Sequence, residues 1–191
     1  MGYQLSLKDY EIIKMLSVTC HATRSQVLKL ISRDQLSALE NCGIIKKTKA
    51  AYHDGKYRTT FRINQKAQSR IKRDLQIRAF YSSNSPVHDV YLTDKYLLLD
   101  ESERDTIRTE GQGKNDFQNF CKENTVNAEE YKKDYSNGNL SAPDFSYKTS
   151  DGTLIYVEIS NGYKQKKIDA KFKMVRIMGA KMELIEIKKI K

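Results

Sequence analysis

Residues 141–171 read SAPDFSYKTSDGTLIYVEISNGYKQKKIDAK, and the pairing of the two β-prone runs within them decides the architecture of the second half of the chain. Phe145–Tyr147 and Thr153–Ile159 have strand character. Between them, Ser150-Asp151-Gly152 has the make-up of a three-residue hairpin loop, whose last position takes glycine because the backbone there is left-handed. A loop of those three residues pairs Thr149 with Thr153 and sets Asp144 directly across from Glu158. The same register places Phe145, Tyr147, Ile155, Val157 and Ile159 on one apolar face, and Asp144, Ser146, Tyr156, Glu158 and Ser160 on the other. Two carboxylates opposed on adjacent strands repel unless a cation or a proton separates them. Oxygen ligands so spaced suit Mg²⁺ or Mn²⁺, which would activate water against a phosphodiester. The alternative reading is a pair of surface acids at strand ends.

Downstream of the hairpin, Tyr163–Met178 is expected to be helical with Ile168, Phe172 and Val175 facing inward, and Met182–Ile187 supplies a further strand. Upstream, Tyr81–Pro86 (YSSNSP) loses periodicity and gains turn formers, which marks a boundary between domains at 1–80 and 81–191. Pro86 suits the first position of a helix carrying Val87, Val90, Tyr91, Leu97 and Leu98. From Asp94 to Asp134 the balance is acidic, 11 carboxylates against 7 bases. Within it Glu110–Asn115 (EGQGKN) reads as a flexible loop before a helical patch around Phe117 and Phe120, and Tyr131–Ser141 reads as another loop. His88-Asp89 is expected to be a helix-start pair and not a catalytic dyad.

The N-terminal half opens with three helix starts. Ser6-Leu7-Lys8-Asp9, Thr23-Arg24-Ser25-Gln26 and Ser32-Arg33-Asp34-Gln35 each place a hydroxyl three residues before a side chain able to reach back to it. Apolar residues at helical spacing follow each cap, and Gly43 sits where the third helix must stop. Ile44–Ile63 (IIKKTKAAYHDGKYRTTFRI) then reads as a hairpin around Asp54-Gly55, and Gln65–Leu75 as a closing helix. Three helices and a hairpin, in that order, are the elements of a winged helix-turn-helix, and LSALENCGIIKK resembles the end of a recognition helix leading into the wing in that family. That resemblance implies a wing carrying Lys46, Lys47, Lys49, Lys56, Arg58 and Arg62 along the phosphate backbone. It also implies a third helix whose Arg33, Ser37 and Asn41 reach the major groove. The same face would otherwise meet solvent or a protein partner.

Charge agrees with this division. The net charge of +10 is concentrated in residues 1–75, which hold 15 Lys and Arg against 6 Asp and Glu. An asymmetry of that kind suits a polyanion such as nucleic acid. With 39% hydrophobic and 30% charged residues and no apolar run of membrane-spanning length, a cytoplasmic protein with no membrane partner is expected. The three cysteines lack CxxC or Cys/His ligand spacing and are expected to be free thiols in a reducing compartment, not a zinc site or a disulfide framework.

Pro143-Asp144, followed by Glu158-Ile159-Ser160 and a basic helix, resembles the core of the PD-(D/E)XK nuclease superfamily. With the winged helix ahead of it, with HDVYLTDKYLLL at the start of the second half and with RINQKAQSRIK after the wing, nearly the whole chain resembles the replication-relaxation family of plasmid and mobile-element proteins. The resemblance implies an α+β or α/β chain: an N-terminal winged helix-turn-helix and then a PD-(D/E)XK restriction-endonuclease-like domain. In active members of that superfamily a lysine occupies the position held here by Ser160, stabilising charge at the reacting phosphate. Lys164, Lys166, Lys167 and Lys171 on the next helix are the candidate replacements, Lys164 standing with Asp144 and Glu158 as the catalytic candidate. The expected function is double-stranded DNA binding by a mobile-element protein, as an accessory factor in plasmid replication or conjugative transfer. The nuclease-like half is expected to be degenerate and not enzymatic. Replication or conjugation proteins and a homodimer are the further partners expected. The rival readings are an endonuclease holding Mg²⁺ or Mn²⁺ on Asp144 and Glu158, and a protein-interaction module.

Overall fold

The computed structural model describes residues 3–52, 56–123 and 126–187. It is a mixed α+β structure with two separate sheets, and it divides into two compact units, one running to Leu98 and one over Leu99–Ile187.

The first unit contains α1 (Leu7–Thr19), β1 (Ala22–Thr23), α2 (Arg24–Val27), α3 (Arg33–Asn41), β2 (Ile45–Ala51), β3 (Tyr57–Ile63), a 3-10 turn at Gln65–Ala67, α4 (Gln68–Leu75) and α5 (Pro86–Leu98). The hydroxyls of Ser6, Thr23 and Ser32 cap α1, α2 and α3 as their spacing predicts, each accepting the N–H of the residue three positions on. The first two are complete capping boxes, which satisfy two orphan amides each. At the third, the Gln35 side chain instead donates to Asp9 Oδ1 at 2.9 Å, tying α3 to the start of α1. Gly43, at φ +71°, ends α3: its N–H reaches Glu40 O and the N–H of Ile44 reaches Leu39 O, both at 3.0 Å. Ile12, Ile13, Leu16, Leu36, Leu39 and Phe61 are among the buried side chains of the unit's core.

Strands β2 and β3 pair antiparallel from Ile45–Ile63 to Ala51–Tyr57, and the short β1 joins the outer side of β3, giving the order β1-β3-β2. The expected Asp54-Gly55 turn lies outside the described residues; the hairpin narrows toward it with the Tyr52 N–H on Lys56 O at 3.0 Å. Helix α5 starts at Pro86 and lies against α1, α2, β1 and β2. The expected boundary at 80/81 would put this helix in the second domain. The compact unit ends after it, because Gln26, His21 and Thr19 all find hydrogen-bond partners on it.

The second unit contains α6 (Glu101–Asp105), β4 (Arg108–Thr109), α7 (Glu110–Glu123), α8 (Ala128–Ser136), β5 (Phe145–Lys148), β6 (Leu154–Ser160), α9 (Gln165–Ile177) and β7 (Lys181–Glu186). Its sheet has the order β4-β5-β6-β7; β4, β5 and β6 are antiparallel, and β7 joins β6 in parallel through the α9 crossover. The β5–β6 ladder pairs Phe145 with Val157 through Lys148 with Leu154, the predicted register. Gly152 takes φ +81° in the connecting loop, where the Thr149 N–H reaches Thr153 O at 3.0 Å.

Two expected loops are helices. Glu110–Asn115 forms the first turns of α7 despite its two glycines. The Gln112 side chain accepts the Thr109 N–H at 2.9 Å, and Lys114 pairs with Glu110 at 2.7 Å. Those contacts offset the roughly 1 kcal/mol that a glycine costs in a helix. Most of Tyr131–Ser141 likewise continues α8, whose Tyr131 and Tyr135 pack on a core of Phe117, Cys121, Leu140, Ala142 and Met174. On α9 the inward face is Ile168, Lys171, Met174 and Val175, whereas Phe172 is 40% exposed. Among the described residues no helix is long and apolar enough to cross a membrane.

Candidate nucleic-acid interface and carboxylate site

The basic surface of the first unit follows from strand alternation. Lys46, Thr48, Ala50, Arg58, Thr60 and Arg62 point to one side of the β2–β3 hairpin, and Lys47 and Lys49 to the other. Lys46, Lys47, Lys49, Lys56 and Arg58 are exposed; Arg62 is half-buried. Lys47 is tethered to the end of α3 through Glu40 at 3.0 Å, and Arg58 stacks over the Tyr52 ring with its guanidinium 4.3 Å from the centroid. Tyr57, near the hairpin's far end, is 73% exposed. Arg33, Ser37 and Asn41 are exposed along α3, as helical spacing from the buried Leu36 and Leu39 requires. The Ser37 hydroxyl donates to Arg33 O at 3.0 Å, so Arg33 and Asn41 keep the freer polar groups on that face. Helix and hairpin together offer cations on a rigid support, because the Gly43 turn joins α3 directly to β2.

In the second unit Asp144 sits one residue before β5 and Glu158 inside β6. Asp144 is 7% exposed and Glu158 fully buried, so neither is a surface acid. The Asp144 N–H reaches Val157 O at 3.0 Å, and its Oδ2 accepts the Ile159 N–H at 2.8 Å. Lys171, buried two turns into α9, places Nζ 2.6 Å from Glu158 Oε2 and donates also to Ala142 O at 2.9 Å. Lys164, by contrast, is the exposed N-cap residue of α9, and Lys166 and Lys167 are exposed beside it. The ammonium that meets the β6 carboxylate is therefore Lys171. Its place was open to periodicity, since it follows Ile168 by three residues on the buried face.

Tyr163 stands at the rim in the field of both acids. Burial first, then the charges of Glu158, Asp144 and Glu110, push its hydroxyl up to about 12. The Lys167 ammonium lies 3.7 Å from the centre of its ring. Glu110, in the first turn of α7, is thus near enough to act on Tyr163, but it is paired with Lys114.

Asp144 and Glu158 are the two carboxylates this site offers a hard divalent cation, which usually takes one or two such groups and keeps several waters. Among the described residues no third carboxylate, histidine or cysteine converges with Asp144 and Glu158 to within 4.8 Å. With Lys171 paired to Glu158, the two acids and the ammonium sum to a single negative charge. Comparison of the chain with protein-family models, with curated proteins and with solved structures finds no match.

Proposed function

We propose that the protein binds double-stranded DNA through its first unit, read as a winged helix. In this reading α3 enters the major groove and the β2–β3 hairpin follows the phosphate backbone. The observation that carries it is the set of exposed cations on a hairpin joined by one tight turn to a helix with exposed Arg33 and Asn41. The order of helices and strands and the β1-β3-β2 sheet support the winged-helix reading. The sequence resemblance to the replication-relaxation family supports a role in plasmid replication or conjugative transfer. Titration of a labelled duplex with wild-type protein and with Lys46→Glu/Lys49→Glu/Arg58→Glu tests it. Binding by the wild type and at least tenfold weaker binding by the variant is the expected result; equal binding by both overturns the wing assignment.

The second unit is read as a nuclease-like scaffold that does not cut. The hairpin, the crossover helix and the parallel strand after it support the likeness, and so do the acids at the start of β5 and inside β6. Ser160 in place of the signature lysine supports the absence of cleavage, whereas the Lys171–Glu158 pair, which sets a candidate replacement lysine on the β6 carboxylate, is the observation that favours the endonuclease alternative. Supercoiled plasmid incubated with the protein and Mg²⁺ or Mn²⁺ is expected to stay intact. Nicking by the wild type that is lost in Asp144→Ala would establish the endonuclease instead.

A further inference from the structure

We propose that Cys20, His21 and Asp89 form a binding site for a divalent transition metal of borderline softness, zinc foremost, which clips α5 onto the end of α1. The site lies wholly within the first unit and does not depend on the DNA-binding reading. Each residue brings one ligand atom, and the three atoms lie within 4.8 Å of one another, with all three residues buried. Thiolate, imidazole and carboxylate together are the donor types zinc takes in proteins, whereas Mg²⁺ and Ca²⁺ take oxygen alone.

Backbone geometry assembles the pair at the end of α1. Cys20 adopts φ +68° and ψ −52°, and the His21 N–H reaches Thr19 O at 2.9 Å, a three-residue turn that is rare because it is strained. Thr93 of α5 holds the other side, its hydroxyl 2.8 Å from both the Thr19 hydroxyl and the His21 carbonyl oxygen. Asp89 then meets His21 Nδ1 at 2.7 Å through Oδ2, while His88 Nδ1 stands 3.3 Å from its Oδ1. Zinc bonds of about 2.0 Å to nitrogen and oxygen separate neighbouring tetrahedral ligands by about 3.3 Å, so the His21–Asp89 contact need open by only about half an ångström. His88 serves as the outer-shell partner that orients the carboxylate. Charge closes too: thiolate and carboxylate offset a divalent cation, leaving a neutral buried site.

Cobalt(II) is the direct probe, since a sulfur ligand gives a charge-transfer band in the near ultraviolet and a tetrahedral site, here the three side chains and one solvent molecule, gives intense visible bands. The full chain, stripped with chelator and titrated with Co²⁺, is expected to develop both bands at one equivalent, and Zn²⁺ is expected to displace them. Cys20→Ser should lose the charge-transfer band and bind at least tenfold more weakly. Asp89→Asn should weaken binding while keeping the sulfur band. Cys42→Ser and Cys121→Ser should match the wild type. Zn²⁺ should also raise the thermal midpoint of the wild type and not that of Cys20→Ser. A wild type that shows no sulfur band and no zinc-dependent shift overturns the site and leaves a hydrogen-bonded Cys-His-Asp cluster. A band that survives Cys20→Ser overturns it equally.

Discussion

Replacing Lys171 with methionine should destabilise the second unit severely. Its Nζ lies 2.6 Å from Glu158 Oε2, and the two side chains are 5% and 0% exposed. At an effective dielectric of about 20, attraction across that distance is about 6 kcal/mol before desolvation is counted. Methionine fills much the same volume, so packing changes little, while Glu158 and the Ala142 carbonyl lose the ammonium between them. Stranding one member of a buried pair costs about 3–5 kcal/mol. For a unit of fewer than about 100 residues that lowers the thermal midpoint by about 15–30 °C. Replacing both partners, as Lys171→Met/Glu158→Leu, removes the uncompensated charge and should return stability to within about 2 kcal/mol of the wild type. Urea unfolding of the wild type, both single variants and the double variant gives the coupling directly. A cost below about 1 kcal/mol for Lys171→Met, the scale of an exposed pair, would refute the buried-pair argument. Additive effects of the two substitutions would refute it as well.

Asp9 lies buried among hydrogen bonds from Ser6, Gln35 and Tyr3; burial raises its pKa, and those bonds outweigh burial and lower it. A carboxyl with a depressed folded pKa contributes stability that is fully present above its unfolded value and lost as pH falls through the folded one. Asp9→Ala should therefore cost about 1–2 kcal/mol near pH 7 and flatten the acid limb of the stability profile below about pH 4, read by urea midpoints. Gly43→Ala places a Cβ at φ +71° and should cost about 1–2 kcal/mol in the same assay. Gly113→Ala should instead stabilise by about 0.5–1 kcal/mol, because its Cβ would meet Tyr156 at an ordinary 3.8 Å and the helix gains propensity.

Local rules carried most of what the sequence disclosed. The caps at Ser6, Thr23 and Ser32, the stop at Gly43 and the Phe145–Val157 register each depend on residues a few positions apart, and each is present in the structure. Helix α7 was hidden because Gly111 and Gly113 argue against helix, while the packing that favours it, Phe117 and Cys121 against Leu140, Ala142 and Met174, comes from residues far along the chain. Lys164 is the candidate the sequence puts forward among four lysines, and Lys171 gains distinction only once α9 is phased by the burial of Ile168 and Val175 and not of Phe172. The His21–Asp89 contact spans 68 residues, so no spacing rule links the two, and Asp89 reads locally as a helix-start acid.

The salt dependence of duplex binding tests the account most directly. If the cations of the β2–β3 hairpin lie along the backbone and neutralise about five or six phosphates, log K should fall against log salt with a slope of about −5. Affinity should then drop about a thousandfold between 50 and 200 mM salt. No binding at the lower concentration, or a slope shallower than about −2, would contradict a hairpin that grips the phosphate backbone.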